Sequence, residues 1–313
     1  MKNDYAEYVK YMNKAAGIAG TDDMGELWRS SFEEDNFVEN MKQLWEQLKP
    51  FYGELHKYVR RKLMEIYGDK MDADNPNIPA HLLGNYVLQQ EPWSKIGLPE
   101  DYVDSHENDI NALYLRALDR VAFLPFGLLI DMWRWEVFAG EVDFADWNKR
   151  WWELREEYQM IAAPVEQDLD AFDPGAKYHI PFDSQYISYF IAHILDLQLH
   201  KALCQVAGEY EPNNSEKPLH KCDIDGSTAA GDRLRAGLQL GRSEHWSEAL
   251  WVMTGETELK TDALLEYYAP LYEFLKEENE KAEKGAAAAV SLSTSLIVAI
   301  TGVSLLLRLL MCE

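Results

Sequence analysis

Between Asp173 and Tyr189 the chain reads DPGAKYHIPFDSQYISY, its densest run of groups able to recognise a polar ligand. Lys177 supplies an ammonium, His179 an imidazole, and Tyr186 and Tyr189 two phenols. Three residues apart, the two tyrosines share a face if the segment is helical. Such a set can hold a carboxylate and donate hydrogen bonds to a carbonyl oxygen. By chemistry alone, a solvated polar surface explains the same residues equally well.

Metal chemistry sets a stricter pattern. A zinc peptidase needs two histidines one helical turn apart with a glutamate between them, because only then do both imidazoles reach the ion while the carboxylate meets the bound water. His106-Glu107 begins that motif, but position 110 is Ile, so the stretch reads as an acidic helix entry. His193, Asp196 and His200 fall at i, i+3 and i+7 of a predicted helix, where bonds to neighbouring helices are the commoner use of such residues. No metal is expected from these residues. Cys204 has no neighbour that would activate it as a nucleophile.

The elements that must carry these groups are helical. Apolar residues at helical spacing run from Glu26 to Tyr67 and predict one or two long amphipathic helices, followed by a loop over Asp72–Pro79. Further helices are predicted over Ile110–Leu124, capped by Asn108 or Asp109 and broken by Pro125. Leu128–Phe138, Asp146–Met160, Ser184–Leu203, Ala229–Leu240 and Thr261–Ala282 continue the pattern, with Asp173-Pro174-Gly175 as a turn. No sustained alternation argues for a sheet, so the class is mainly α.

At the C-terminal side, Gly285 to Leu307 is a run of 23 residues without a charge. At roughly 1.5 Å per residue a helix of that length spans a bilayer, which predicts a transmembrane anchor followed by a short tail over 308–313. A GPI signal is the weaker membrane reading, since the polar spacer is missing and Arg308 interrupts the tail. Residues 1–284 then form the folded body. It carries most of a formal charge of −24, which disfavours nucleic acid as a partner. If that body is extracellular, Cys204 and Cys222 pair across a Pro- and Asn-rich loop, leaving Cys312 as a lone thiol, and Asn213 opens a glycosylation sequon. Met1 to Tyr11 has no apolar region of the kind a secretory signal needs.

Several long motifs then resemble one family: FDPGAKYHIP and the Tyr-x-x-Tyr-Phe after it, ALCQVAG, PLHKCDI, WRWEVFAG, WWELR, IPAHLLGN and LWEQLKPFYGELHKYVRR. They are similar to angiotensin-converting enzyme and its invertebrate relatives, from about Glu26 to about Asn279. That family is a mainly helical zinc peptidyl-dipeptidase with a deep central cleft, membrane-tethered or secreted, often glycosylated and chloride-activated. The resemblance implies a helical, bundle-like ectodomain with part of the peptidase fold. It gives Lys177 and Tyr186 the peptide's C-terminal carboxylate, and His179 and Tyr189 the neighbourhood of the scissile carbonyl. Trp151 and Arg155 match members of a buried chloride site, and Cys204 and Cys222 match a family disulfide.

The chain departs from the family in two places. Ser188 stands where the vertebrate pattern has the arginine of a second chloride site. The segment bearing His-Glu-x-x-His and the third zinc ligand is missing, as is the family's N-terminal part: IPAHLLGNYV at Ile78–Val87 is followed almost at once by SKIGLPEDYVDSHENDIN at Ser94–Asn111. The expectation is an internal deletion near 88–93, with zinc, the activated water and the general base lost together. The family's metallopeptidase (hydrolase) activity, a carboxypeptidase-like release of C-terminal dipeptides, is therefore not expected of this chain alone, which would be a pseudoenzyme still open to peptide C-termini. Two other readings stand beside this one: a non-enzymatic, collectrin-like membrane interaction protein, or an incomplete version of an active enzyme.

Overall fold

The computed structural model describes residues 1–68, 71–83, 105–168 and 170–285. Within them the protein is built from helices around one apolar core. Helix α1 spans Lys2–Ala19, α2 Met24–Ser30 and α3 Phe37–Tyr67. The predicted Glu26–Tyr67 helix is thus two, parted by a turn in which Glu33 takes a positive φ of 56°. Helix α3 buries Phe37, Met41, Leu44, Leu48, Leu55 and Val59 along one stripe, the i, i+3, i+4 spacing that drives an amphipathic helix onto a core. Pro50 lies inside it on the exposed side, where water can replace the backbone bond the ring forbids.

Helix α4 runs His106–Arg120. It begins earlier than predicted because Ser105, not Asn108 or Asp109, is its cap: the Ser105 hydroxyl accepts the Asn108 N–H at 3.2 Å. Pro125, read as the breaker of that helix, instead sits in the first turn of α5, Leu124–Phe138, where its missing N–H costs nothing. Helix α5 is buried on nearly all sides, which marks a central helix. It packs against α1, α2, α3, α6 (Trp147–Gln159) and α7 (Ile187–Ala207).

Helices α8 (Thr228–Leu238), α9 (Trp246–Thr254) and α10 (Asp262–Tyr267) follow, and α7 packs against all three. The last helix among the described residues, α11, covers 269–285. The predicted Thr261–Ala282 helix is therefore interrupted at Tyr268, with Pro270 in the opening turn of the second piece. Strands β1 (Ile78–Pro79) and β2 (Ile161–Ala162) pair in parallel, a contact too short to leave an alternating pattern in the sequence.

Cys204 and Cys222 form a disulfide, with Cα atoms 6.1 Å apart. The proposed junction at 88–93 lies outside the described residues, as does the apolar run 285–307 apart from Gly285, the last described residue of α11. Among the described residues no helix is long and apolar enough to cross a membrane.

Candidate functional site

The site segment owes its position to a buried ion pair in α5. Asp131 and Arg134 are both fully buried and bonded to each other, Arg134 Nε donating to Asp131 Oδ1 at 2.8 Å. Arg134 also donates to the carbonyls of His179, at 3.1 Å, and Ser184, at 2.6 Å. Asp131 Oδ2 accepts the backbone N–H groups of Tyr186 and Ile187 at 2.7 and 2.8 Å. The carboxylate thereby satisfies N–H groups that the start of α7 leaves open and adds negative charge where the helix dipole favours it. Both ends of the 179–187 segment are fastened to one helix. The face of the Trp28 ring, 4.7 Å from the guanidinium carbon, covers the Arg134 charge.

A second support comes from α1. Tyr8 donates to Asp183, which takes a positive φ of 58°, and Tyr5 packs among the rings of Trp133, Trp147 and Phe172. Gly175 passes so close to the Phe172 ring that a Cβ would come within 2.6 Å of it, so no larger residue fits without displacing that ring.

These supports deliver Lys177 and Tyr186 to a cavity of about 510 Å³. Its walls come from α3 (Tyr52, Leu55, His56, Val59), from the β1–β2 contact, and from Phe123 and Phe126 at the head of α5, with Arg155 and Gln159 of α6 at its base. The Lys177 ammonium lies 4.6 Å from the ring centre of Tyr186 and 5.4 Å from that of Phe126. Burial lowers its pKa, because desolvation disfavours the cation. Among the described residues no carboxylate pairs with it, although Asp119 contributes to the cavity wall. Burial likewise pushes the Tyr186 phenol up to about 12, so it stays a hydrogen-bond donor.

His179 and Tyr189 gather beside this pair. Their rings stand 4.7 and 4.9 Å from that of Tyr186, and the Tyr189 hydroxyl is 3.4 Å from His179 Nε2. Burial, then the charges of Lys177 and Arg134, lower the His179 pKa. Its Nδ1 is buried without a hydrogen-bond partner. All four residues of the predicted set are therefore neighbours, with Lys177 and Tyr186 on the cavity wall and His179 and Tyr189 alongside.

Trp151 and Arg155 share one face of α6. Trp151 is buried in edge contact with Phe126 and Trp133, and the Arg155 guanidinium rests between the rings of Phe126 and Trp152 at 5.4 and 5.3 Å. Burial pulls Arg155 down to about 10, and its Nε is sequestered without a partner. An orphaned buried N–H on a cation is a place where an anion fits. His193 stacks on Phe123 and bonds to the Tyr189 carbonyl, while His200, seven residues on, faces Cys204.

Sequence reasoning overlooked Asp131, Arg134 and His56. The first two did leave a signal, a lone acid and base three residues apart in the otherwise apolar stretch LPFGLLIDMWRW. His56 had none, being one of many polar residues on α3, yet it is buried with Nε2 2.9 Å from the Met160 carbonyl, and burial pushes its pKa down to about 4.

Comparison with known proteins bears directly on this site. The family model described as angiotensin-converting enzyme matches residues 1–97 and, in a second piece, 87–286. The chain belongs to the angiotensin-converting enzyme family. The match begins before the Glu26 at which the motifs start, so α1 is part of the family region. The angiotensin-converting enzyme-related protein of Drosophila melanogaster is 30% identical over 422 aligned positions, covering 90% of this chain and 67% of that protein. The angiotensin-converting enzyme of Theromyzon tessulatum is 28% identical, covering 90% and 68%. That of Mus musculus is 29% identical, covering 88% of this chain but 32% of its own length. An alignment of 422 positions exceeds the 313 residues of this chain, so a large block of the Drosophila relative faces no residue here.

Proposed function

We propose that this chain binds the C-terminal end of a peptide in the 510 Å³ cavity and, on its own, does not hydrolyse it. The observation that carries the reading is Lys177, a half-buried ammonium on a cavity wall, framed by two aromatic faces and lacking a carboxylate partner among the described residues. A peptide's terminal carboxylate supplies the missing charge, and the Tyr186 phenol donates a hydrogen bond to it. His179 and Tyr189 stand where the next carbonyl toward the peptide's N-terminus would come, both able to donate. Trp151 and Arg155 hold a chloride ion under the cavity, the orphaned Arg155 Nε being its donor.

A catalytic zinc, which membership of the family implies, does not fit the residues present. No His-Glu-x-x-His occurs in the 313 residues, and no pair of histidines is spaced to share an ion with a glutamate between them. The two-piece family match that meets at 87–97, and the unmatched block in the relatives, support an internal deletion near 88–93. We therefore assign no hydrolytic step to this chain. The uncharged run 285–307 supports a membrane-tethered body displaying the cavity.

Titration calorimetry with a short peptide ending in a free carboxylate, and with its C-terminal amide, tests the binding. Saturable binding of the acid is expected, weakened at least tenfold by amidation and by Lys177→Met. Equal affinity for acid and amide would sink the reading. Chelator-sensitive release of dipeptides by the purified chain would overturn the assignment of inactivity.

A further inference from the structure

Lys177 and Tyr186 are one polar pair on the cavity wall, and a second pair, His56 of α3 and Gln159 of α6, lines the same space. Both of the latter are deeply buried, with 5% and 6% of their surface exposed. They are neighbours, because His56 Nε2 meets the carbonyl of Met160, the residue after Gln159, at 2.9 Å. That bond fixes the tautomer. A carbonyl accepts, so Nε2 carries the hydrogen, and Nδ1 of the neutral ring is left as a lone-pair acceptor. Burial keeps the ring neutral, its pKa pushed down to about 4. Gln159 Oε1 is a second acceptor, buried without a hydrogen-bond partner. The hydroxyl of Tyr52, another cavity residue, donates instead to the Gln159 backbone carbonyl. Buried acceptors left open are costly, and a ligand that donates to them recovers that cost.

We propose that His56 and Gln159 form a specificity pocket for an aromatic side chain ending in a hydrogen-bond donor, tyrosine foremost, on the peptide whose terminal carboxylate Lys177 holds. The pocket deepens the peptide-binding reading of the cavity and rests on it. Three features of the lining select this chemistry. Around the two polar pairs the walls are apolar, with Leu55, Val59, Ile78, Leu118, Phe126 and Ile161, so a polar stem would be desolvated without partners. Nδ1 and Oε1 accept, so a group that meets them must donate, and the soft terminal torsion of a glutamine lets Oε1 turn toward it. Arg155, one turn before Gln159 on α6, disfavours a cationic donor such as lysine or arginine. A phenol meets all three conditions, with an apolar ring and a neutral donor. Phenylalanine lacks the donor.

The span suits the end of a peptide. The Lys177 ammonium and the Arg155 guanidinium each stand 5.4 Å from the ring centre of Phe126, so they lie within twice that distance of each other, and Gln159 is one helical turn further. An extended chain advances at most about 3.3–3.6 Å per residue. The phenol therefore belongs to one of the peptide's last three residues.

The test uses the full, disulfide-bonded chain and N-acetylated tripeptides with a free carboxylate. One tyrosine occupies the first, middle or last position among alanines, and each peptide is matched by its phenylalanine equivalent. Titration calorimetry is expected to show, at one position, tyrosine bound at least fivefold more tightly than phenylalanine, because the peptide without the hydroxyl leaves both acceptors unpaired. Gln159→Met and His56→Leu should each bring that ratio below fivefold while keeping the preference for acid over amide that Lys177 sets. The ratio compares two peptides on the same chain, so a general loss of structure does not imitate it. Thermal melts check both variants, and Gln159→Met decides alone if His56→Leu does not fold. A ratio below fivefold at every position, with the acid still preferred over the amide, overturns the pocket and leaves the peptide reading standing. A tyrosine preference that survives the substitutions overturns it too. Equal binding of acid and amide removes the peptide reading and the pocket with it.

Discussion

Asp131 and Tyr186 stand 55 positions apart in the chain, yet the carboxylate of one accepts the backbone N–H of the other at 2.7 Å. The bond begins α7 at the cavity wall and at the same time neutralises Arg134. Removing one member of a fully buried pair leaves the other charge unpaired and costs on the order of 3–5 kcal/mol. Asp131→Asn should therefore lower unfolding stability by about 3 kcal/mol, measured by denaturant titration. The double variant Asp131→Leu/Arg134→Met should recover part of the stability, but not peptide binding. An Asp131→Asn chain as stable as the parent would refute this account of how α7 is anchored.

Acidification should destabilise the body. Burial holds His56 at about 4, below its ordinary value of 6.5, and lowers His193 and His200, with burial again the leading cause for His179. Each of these groups binds its proton more readily unfolded than folded. Stability is thus fully present above pH 6.5 and falls as pH drops toward 4. For His56 alone the loss amounts to roughly 3 kcal/mol at 1.36 kcal/mol per unit. Thermal melts from pH 7.5 to 4.5 should show the fall, and His56→Gln should flatten it.

Chloride should stabilise the chain through Arg155. At constant ionic strength, replacing a bulky organic anion by chloride is expected to add about 1 kcal/mol, as ligand linkage gives when the ion is several-fold above its dissociation constant. Arg155→Met should abolish the response while leaving a folded protein. An identical chloride effect in both chains would remove Arg155 from the site.

Asn213 is exposed and sits at a positive φ of 62° in the loop closed by the disulfide. Such an outward asparagine in an Asn-x-Ser triplet should be glycosylated when the chain passes through a secretory pathway. A heavier species that collapses on glycosidase treatment, and is missing in Asn213→Gln, is the expected result. A parent chain of unmodified mass from secreting cells would contradict it.

Much of the helical framework was legible because a buried stripe imposes its period on the chain, as Met41, Leu44, Leu48 and Leu55 do along α3. Helix α1 escaped because its buried positions are few, Tyr5, Val9 and Ala16 among mostly exposed residues. Helix α9 is short and buries only Leu250 deeply. The candidate site was legible through motif resemblance, since the spacing of Lys177, His179, Tyr186 and Tyr189 does not by itself distinguish a receptor from ordinary surface polarity.

What the sequence determined alone is the family, the set of recognition groups between Lys177 and Tyr189, and the lack of a His-Glu-x-x-His motif in this chain. What only the tertiary structure decided is where those groups point and how they are charged. The sequence pattern starts α7 at Ser184, but the helix begins at Ile187, where its free N–H groups are taken by Asp131 of another helix. Capping by a distant carboxylate leaves no local signal. The depressed affinity of Lys177 and His56 for protons is equally invisible in one dimension, because desolvation depends on which helices close over a group and not on its neighbours in the chain.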